Sequence, residues 1–233
     1  MKQSDEDYIY EEHIRIANLK YYENQAYEQG FHYIAGVDEV GRGPIAGPVV
    51  SAAVILPRDF FLPGVDDSKK LTPVKRLQLV EQIKKAAISW AVGWVFPPYL
   101  DRINILNATR ETMKLAIGQL SPRPDFLLID ALNLSDITIK QQAIIKGDSL
   151  SVSIACASIL AKVERDRAMD AFDVLYPGYG FGKHKGYATR EHLKALIKLG
   201  ACSIHRESFE PVKSMVAGGK YAEQPGLFDQ GNA

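Results

Sequence analysis

Three apolar runs of strand length, "YIAGVDE", "FLLID" and "AIIKGD", each end in a carboxylate and so place Asp38, Glu39, Asp130 and Asp148 at strand ends. Where parallel strands are neighbours in an open sheet, their carboxyl ends open onto a shared crevice. The three runs therefore favour folds that bring those ends together. Gathered carboxylates repel one another and lose hydration, so such a cluster persists by taking up protons or cations. A hard divalent ion, Mg2+ or Mn2+, prefers oxygen ligands and keeps waters, as a partly open ring of Asp and Glu permits. Two such ions ~4 Å apart would activate a water and stabilise the leaving oxygen in phosphodiester hydrolysis. The competing reading is that these acids cap helices or turns, and Asp148, just before "SLSVSIA", stands where an N-cap would. Adjacent strand residues point to opposite faces, so Asp38 and Glu39 share a site only if the chain bends there. Gly41 and Gly43 are expected to supply that bend.

The rest of the chain reads as a mixed sheet flanked by helices on both faces, an α/β class. Residues 1–30 contain an amphipathic helix, with Ile9, Ile16, Leu19 and Ala26 at helical spacing, that ends before Gly30. "HYIAGVDEV" and "GPVVSAAVIL" follow as consecutive strands whose near-continuous apolarity implies burial on both faces. "VKRLQLVEQIKKAAI" and "DRINILNATRETMKLAIGQL" have helical period, and "SWAVGWV" between them is strand-like. From Ser149 a helix, apolar nearly all round until Val163 and charged afterwards, is expected to run through the centre and emerge. The catalytic domain is placed at 31–213, and 214–233 reads as a flexible tail rich in Gly and polar residues.

Composition narrows the function classes. A chain of 233 residues, 46% hydrophobic and 24% charged, can bury a sizeable core. With 28 basic and 28 acidic residues it is no bulk polycation, so nucleic-acid binding must come from local clusters. Two isolated cysteines, Cys156 and Cys202, imply neither a disulfide framework nor a zinc ribbon. The absence of a long apolar run, and an acidic start, point to a cytoplasmic protein.

"GRGPIA" formally fits a dinucleotide fingerprint, but Pro44 and Pro48 lead into a strand instead of a helix, and no Gly-Lys-Ser/Thr follows for a phosphate loop. Gly-Arg-Gly offers instead a backbone free to approach a ligand closely, beside a guanidinium suited to phosphate.

"GVDEVGRGPIAGPVV", "DSKKLT", "LLIDAL", "IIKGDSLSVSIACASILAKVERDR" and "KHKGYATREHLKAL…IHRESFEPV", in that order over roughly residues 32–213, resemble bacterial ribonuclease HII. The resemblance implies a ribonuclease H-like fold and metal-dependent endonucleolytic cleavage of RNA in RNA–DNA hybrids. It also implies cleavage 5′ to single ribonucleotides embedded in duplex DNA, leaving 3′-hydroxyl and 5′-phosphate ends. By the same resemblance, Asp38, Glu39, Asp130 and Asp148 are the metal-binding and catalytic acids. Gly41, Arg42 and Gly43 match the motif that contacts the ribose 2′-hydroxyl at the RNA-to-DNA junction. Tyr187 matches the tyrosine that packs on the following sugar, which is physically apt because that hydroxyl marks a ribonucleotide. Arg42, where threonine would stand in the sister ribonuclease HIII, favours ribonuclease HII.

Lys69, Lys70, Lys162, Arg165, Lys183 and Lys185 are candidates for sequence-independent phosphate contacts, with Lys69, in "DSKKLT", favoured. His184, His192 and His205 are read as structural or surface residues, since H-x7-H is not a common zinc spacing. In the tail, Gln224, Leu227 and Phe228 form Q-x-x-L-F, which resembles the peptide by which bacterial repair and replication proteins dock on the sliding clamp. Rival readings are another ribonuclease H-like junction nuclease and a non-catalytic hybrid-binding protein; intact acids at all four positions argue against the latter.

Overall fold

The computed structural model describes residues 3–219. Strands β1 (Ile34–Val40), β2 (Val49–Ile55), β3 (Ser89–Val95), β4 (Phe126–Asp130) and β5 (Lys140–Ile144) form one sheet in the order β3-β2-β1-β4-β5. β1, β4 and β5 run parallel, while β2 pairs antiparallel with both β1 and β3. The three acid-terminated runs are thus adjacent and point the same way, which brings their carboxyl ends to one edge.

The described residues up to Arg42, with Val49–Val95 and Leu106–Arg165, make up the first of two compact units. Every residue of β2 is buried, and alternate residues join different clusters. Ala52 and Val54 pack with Leu79, Val80 and Ile83 of α3 (Pro73–Ala86) and with Ala155 and Ile159 of α5 (Val152–Leu175). Ala53 and Ile55 pack with Met113, Ala116 and Ile117 of α4 (Tyr99–Gly118). The period of two along the strand is what assigns a helical layer to each face. Gly36 marks the closest approach: a Cβ there would lie 2.1 Å from the Ser153 carbonyl carbon, so any side chain would displace α5 from β1.

The single N-terminal helix expected within residues 1–30 is two helices, α1 (Gln3–Leu19) and α2 (Tyr21–Glu28), broken at Lys20. Ile16 and Leu19 belong to the α3/α5 cluster, whereas Ala26 joins Ile34, Leu128 and Ile154. One straight apolar stripe does not serve both clusters; a break does. Buried Glu23 then accepts hydrogen bonds from Ser151 Oγ (2.5 Å), Ser153 Oγ (2.6 Å) and Ser153 N (3.0 Å), tying α2 to the start of α5. α4 is interrupted at Asn104, whose φ of 65° is not helical.

The second unit comprises Gly43–Pro48, Phe96–Ile105 and the described residues from Asp166 onward. It includes α6 (Phe181–His184), α7 (Arg190–Leu199) and α8 (Val212–Ala217). Ala46, Met169, Tyr179, Phe181, Cys202 and Ile204 form one of its cores, and Ile45, Leu196, Ala201 and Val212 the other. Buried Arg206 fastens the 43–48 segment, donating from its backbone to Ile45 O (2.9 Å) and from Nε to Gly47 O (3.0 Å). The segment 214–233 begins inside α8, and Gln224, Leu227 and Phe228 lie outside the described residues. Among the described residues no helix is long and apolar enough to cross a membrane.

Candidate active site

Asp38 and Glu39 are near the end of β1, Asp130 is the last residue of β4, and Asp148 follows β5 in a 3-10 turn, Gly147–Ser149. The parallel register pairs Val37 with Ile129 and Asp130 with Ile144, so the chain positions carrying these acids follow one another across the sheet. Asp38 and Asp148 are buried.

Each carboxylate is oriented by a nearby group. Asp38 accepts a hydrogen bond from the Glu39 amide at 2.7 Å and another from Ser158, whose hydroxyl is 2.9 Å from that of Ser68. The Gly147 amide donates to Asp130 Oδ1 at 2.7 Å, so the turn that presents Asp148 also orients Asp130. Lys69 Nζ is 3.0 Å from Asp148 Oδ2, the lysine largely exposed and the aspartate buried. Arg42 Nη1 approaches Glu39 Oε1 at 3.4 Å, while Glu39 Oε2 is buried without a hydrogen-bond partner.

The electrostatics record crowding. Burial raises the Asp38 carboxyl well above its usual range, and the charges of Glu39 and Asp130 push the same way. Glu39 is raised by burial and by Asp130 against the opposing pull of Arg42 and Lys69. Asp130 is raised by burial and by Asp148, with the Gly147 amide and Lys69 opposing. The four acids thus form one electrostatic group whose negative charge exceeds the cations beside it.

The chain bends directly after these acids, where Gly41 and Gly43 are expected to allow it: Gly41 has a φ of 91° and Arg42 and Gly43 form a bend. β1 keeps its register with β2 through Val40, opposite Val50, so Asp38 and Glu39 stand among the last paired positions before that bend. Their coupling comes from position at the sheet's edge, where the charge of Asp130 is felt by both.

Among the described residues no group of three or more His, Cys, Asp or Glu side chains is already arranged to hold a metal ion. The chemistry of the donor set nevertheless suits a hard divalent cation. It is all oxygen, burial and neighbouring carboxylates raise the pKa values of Asp38, Glu39 and Asp130, and it contains an unpartnered buried carboxylate oxygen.

The remaining candidates distribute unevenly. Gly41 and Arg42 belong to the first unit; Gly43 and Tyr187 belong to the second, where a Cβ on Gly43 would lie 3.6 Å from Tyr187 Cε1. The Tyr187 side chain is exposed. Of the six candidate cations, Lys69 reaches the acids. Arg165 is fully buried, which corrects its reading as a surface phosphate contact. Lys70 pairs with Asp66, Lys183 with Glu191 and Lys185 with Asp170. His184, His192 and His205 are buried and hydrogen-bonded to backbone groups. Sequence reasoning missed Ser158 and Gly147 as carboxylate partners. A serine amid the small residues of "IACASILA" was the available sign for the first, and the glycine just before Asp148 for the second.

Residues 35–212 match the family described as ribonuclease HII. A ribonuclease HII of Syntrophomonas wolfei is 69% identical over 222 residues, covering 95% of this chain and 87% of that protein. One from Caldanaerobacter subterraneus is 55% identical over 195 residues, covering 84% and 81%. Among solved structures, ribonuclease HII in a PCNA complex from Archaeoglobus fulgidus superposes with a TM-score of 0.66 at 30% identity, covering 77% of this chain and 96% of that one. The ribonuclease H2 of Pyrococcus horikoshii, 24% identical with a TM-score of 0.66 over 80% of this chain and 98% of its own, shows the same fold. With a match spanning the sheet and its acid-bearing strand ends, the chain belongs to the ribonuclease HII family.

Proposed function

We propose that Asp38, Glu39, Asp130 and Asp148 are the catalytic centre of an endonuclease that hydrolyses RNA in RNA–DNA hybrids and cuts 5′ to single ribonucleotides in duplex DNA. Family membership makes the chain a metal-dependent ribonuclease H. The observation that carries the residue assignment is the alignment of three parallel strands whose ends lead into carboxylates, with Asp38, Glu39 and Asp130 raised in pKa.

The four acids would hold divalent cations, Mn2+ or Mg2+, two during catalysis. When bound, these supply an activated water and stabilise the leaving oxygen. The chain's own groups prepare that site. Ser158 and the Glu39 amide hold Asp38, and the Gly147 amide holds Asp130 through its Oδ1. Lys69 neutralises Asp148 until substrate arrives and then serves a phosphate of the duplex. Attack of water on phosphorus breaks the bond to the upstream 3′-oxygen, which leaves as a 3′-hydroxyl, with the phosphate retained on the ribonucleotide. Tyr187 and the Gly41–Gly43 turn read the ribose-to-deoxyribose junction through the 2′-hydroxyl.

The test is incubation of the purified chain with Mn2+ and a duplex containing one ribonucleotide, beside an all-DNA duplex. Cleavage of the first alone, at the 5′ side of the ribonucleotide, is expected; binding without cleavage would instead support a hybrid-binding protein.

A second reading concerns location and partner. The enzyme would work in the cytoplasm on newly made DNA, with Gln224, Leu227 and Phe228 docking the tail on a sliding clamp and raising local concentration. The Archaeoglobus relative solved with PCNA supports a clamp partner in this family. A peptide spanning Ala222–Asp229 should bind the cognate clamp, and its Leu227→Ala, Phe228→Ala form should not. Equal binding by the two would end this reading.

A further inference from the structure

Tyr187 combines an exposed ring with a tightly held backbone. Its amide donates to His184 O at 3.0 Å, and its carbonyl accepts from Thr189 N and from His192 Nδ1, both at 2.8 Å. The residue before it is equally constrained: Gly186 has a φ of +83°, a Cβ there would lie 2.3 Å from Ala46 O, and its carbonyl accepts from Ile45 N at 2.9 Å. The contact from His192 is unusual because a buried chain of donors and acceptors stands behind it. His192 Nε2 is 3.1 Å from His205 Nε2, and His205 Nδ1 is 3.0 Å from Cys202 N and 3.1 Å from Cys202 Sγ.

The polarity of this chain is set at both ends. His205 Nδ1 lies 3.0 Å from Cys202 N and 3.3 Å from Cys202 O, and that carbonyl already accepts from the His205 amide at 2.9 Å, so the shorter contact, in which Cys202 N donates, makes Nδ1 the acceptor and His205 Nε2 the protonated nitrogen. A backbone carbonyl only accepts, so Tyr187 O fixes His192 Nδ1 as the donor and leaves Nε2 to accept from His205. The two ends demand one and the same tautomer pair. Burial pushes His192 down to about 4 and His205 down to about 3, which keeps both rings neutral at physiological pH, as the pattern requires. Packing limits the swing of His192 as well: its ring stacks on His184 at 4.2 Å and meets the edge of Phe181 at 5.4 Å.

We propose that His192, oriented by His205 and Cys202, is a positioning residue for Tyr187, holding the backbone of that tyrosine where its ring meets the sugar beside the cleaved phosphodiester. The inference rests on the assignment of Tyr187 to junction recognition made above. None of the three residues touches substrate in this scheme; they act through the tyrosine.

A double-mutant cycle on the full chain tests it, with Mn2+ and a duplex containing one ribonucleotide, reading kcat and KM separately. His192→Phe keeps a ring of similar shape but has no donor for Tyr187 O. We expect kcat to fall about 10- to 100-fold, the scale of a misplaced contact near the reacting bond, with little change in KM for the duplex. In a Tyr187→Ala background the same substitution should cost no more than about twofold further. His192→Asn, whose amide nitrogen occupies the position of Nδ1, should restore most of the loss, whereas His192→Gln, which places its amide near Nε2, should not. This pair keeps the test decisive if the Phe variant fails to fold. Additive losses in the cycle, or equal kcat for the Asn and Gln variants, would overturn the positioning role. An unchanged kcat in Tyr187→Ala alone would remove the assignment of the tyrosine itself, whereas a loss there with none in His192→Phe would overturn only the inference about the histidine.

Discussion

The acid cluster of the first unit and the imidazole chain of the second both bury ionisable groups, yet they resolve the cost in opposite ways. The imidazoles are satisfied within the protein: every nitrogen of His192 and His205 has a neighbour of the complementary type, and neutrality is the state the packing selects. The carboxylates are not satisfied. The pKa values of Asp38, Glu39 and Asp130 are raised and one oxygen of Glu39 is left without a partner. A closed network stabilises geometry, while an open one keeps affinity for an external cation; the contrast separates a supporting element from a reactive one.

The largest effect should come from cutting into the open network. Asp38→Asn or Asp148→Asn is expected to reduce cleavage by about a thousandfold or more, roughly 4 kcal/mol of transition-state stabilisation. The metal-free protein should be no less stable, because a repelling charge is gone. Wild-type turnover at saturating metal would dissolve the comparison, since the acids would then be as structural as the imidazoles.

The pH dependence of stability should show opposite signs in the two regions. His192 and His205 have pKa values lowered to about 4 and about 3 from the usual 6.5. The unfolded chain therefore gains protons that the folded one refuses, and stability is lost as pH falls from 6.5 towards those values, by a few kcal/mol at the order-of-magnitude level. Asp38, Glu39 and Asp130 have raised values, so their contribution is fully present below the ordinary carboxylate range and is lost as pH rises through the folded values. Urea denaturation of the metal-free chain at several pH values should therefore give a steeper acid-side loss for Asp38→Asn than for wild type. Parallel profiles would show that Asp38 does not oppose the histidines.

Divalent metal should sharpen the contrast further. At about 100 times its dissociation constant an ion adds about 2.7 kcal/mol to the folded state, so Mn2+ is expected to raise the Tm of wild type and to do so more at pH 8 than at pH 6, because the ligands must lose protons. Asp38→Asn should respond weakly. An equal rise in both proteins would place the ion elsewhere. The smallest effect is expected at Lys69, whose ammonium is mostly exposed beside Asp148. Lys69→Met should change stability by less than about 1 kcal/mol, yet lower the slope of log affinity against log salt for duplex by about one. An unchanged slope would remove Lys69 from the phosphate track.

By itself the sequence determined which segments are strands, that β1 and β2 are buried on both faces, and that acids end three apolar runs, because these features are written in local periodicity and turn chemistry. The resemblance to the ribonuclease HII motifs added the roles proposed for the four acids and for Tyr187. Only the tertiary structure decided that β1, β4 and β5 are neighbours, since strand order depends on contacts far apart in sequence. It also decided that β1 stays paired with β2 through Val40 before the chain bends, that Lys20 breaks the first helix so that its halves serve two clusters, and that Glu23 reaches across to Ser151 and Ser153. The histidines illustrate the limit best. Their spacing excluded a familiar zinc site, but a hydrogen-bond chain from Cys202 to Tyr187 depends on ring orientations that packing against Phe181 and His184 sets, and no one-dimensional pattern records those orientations.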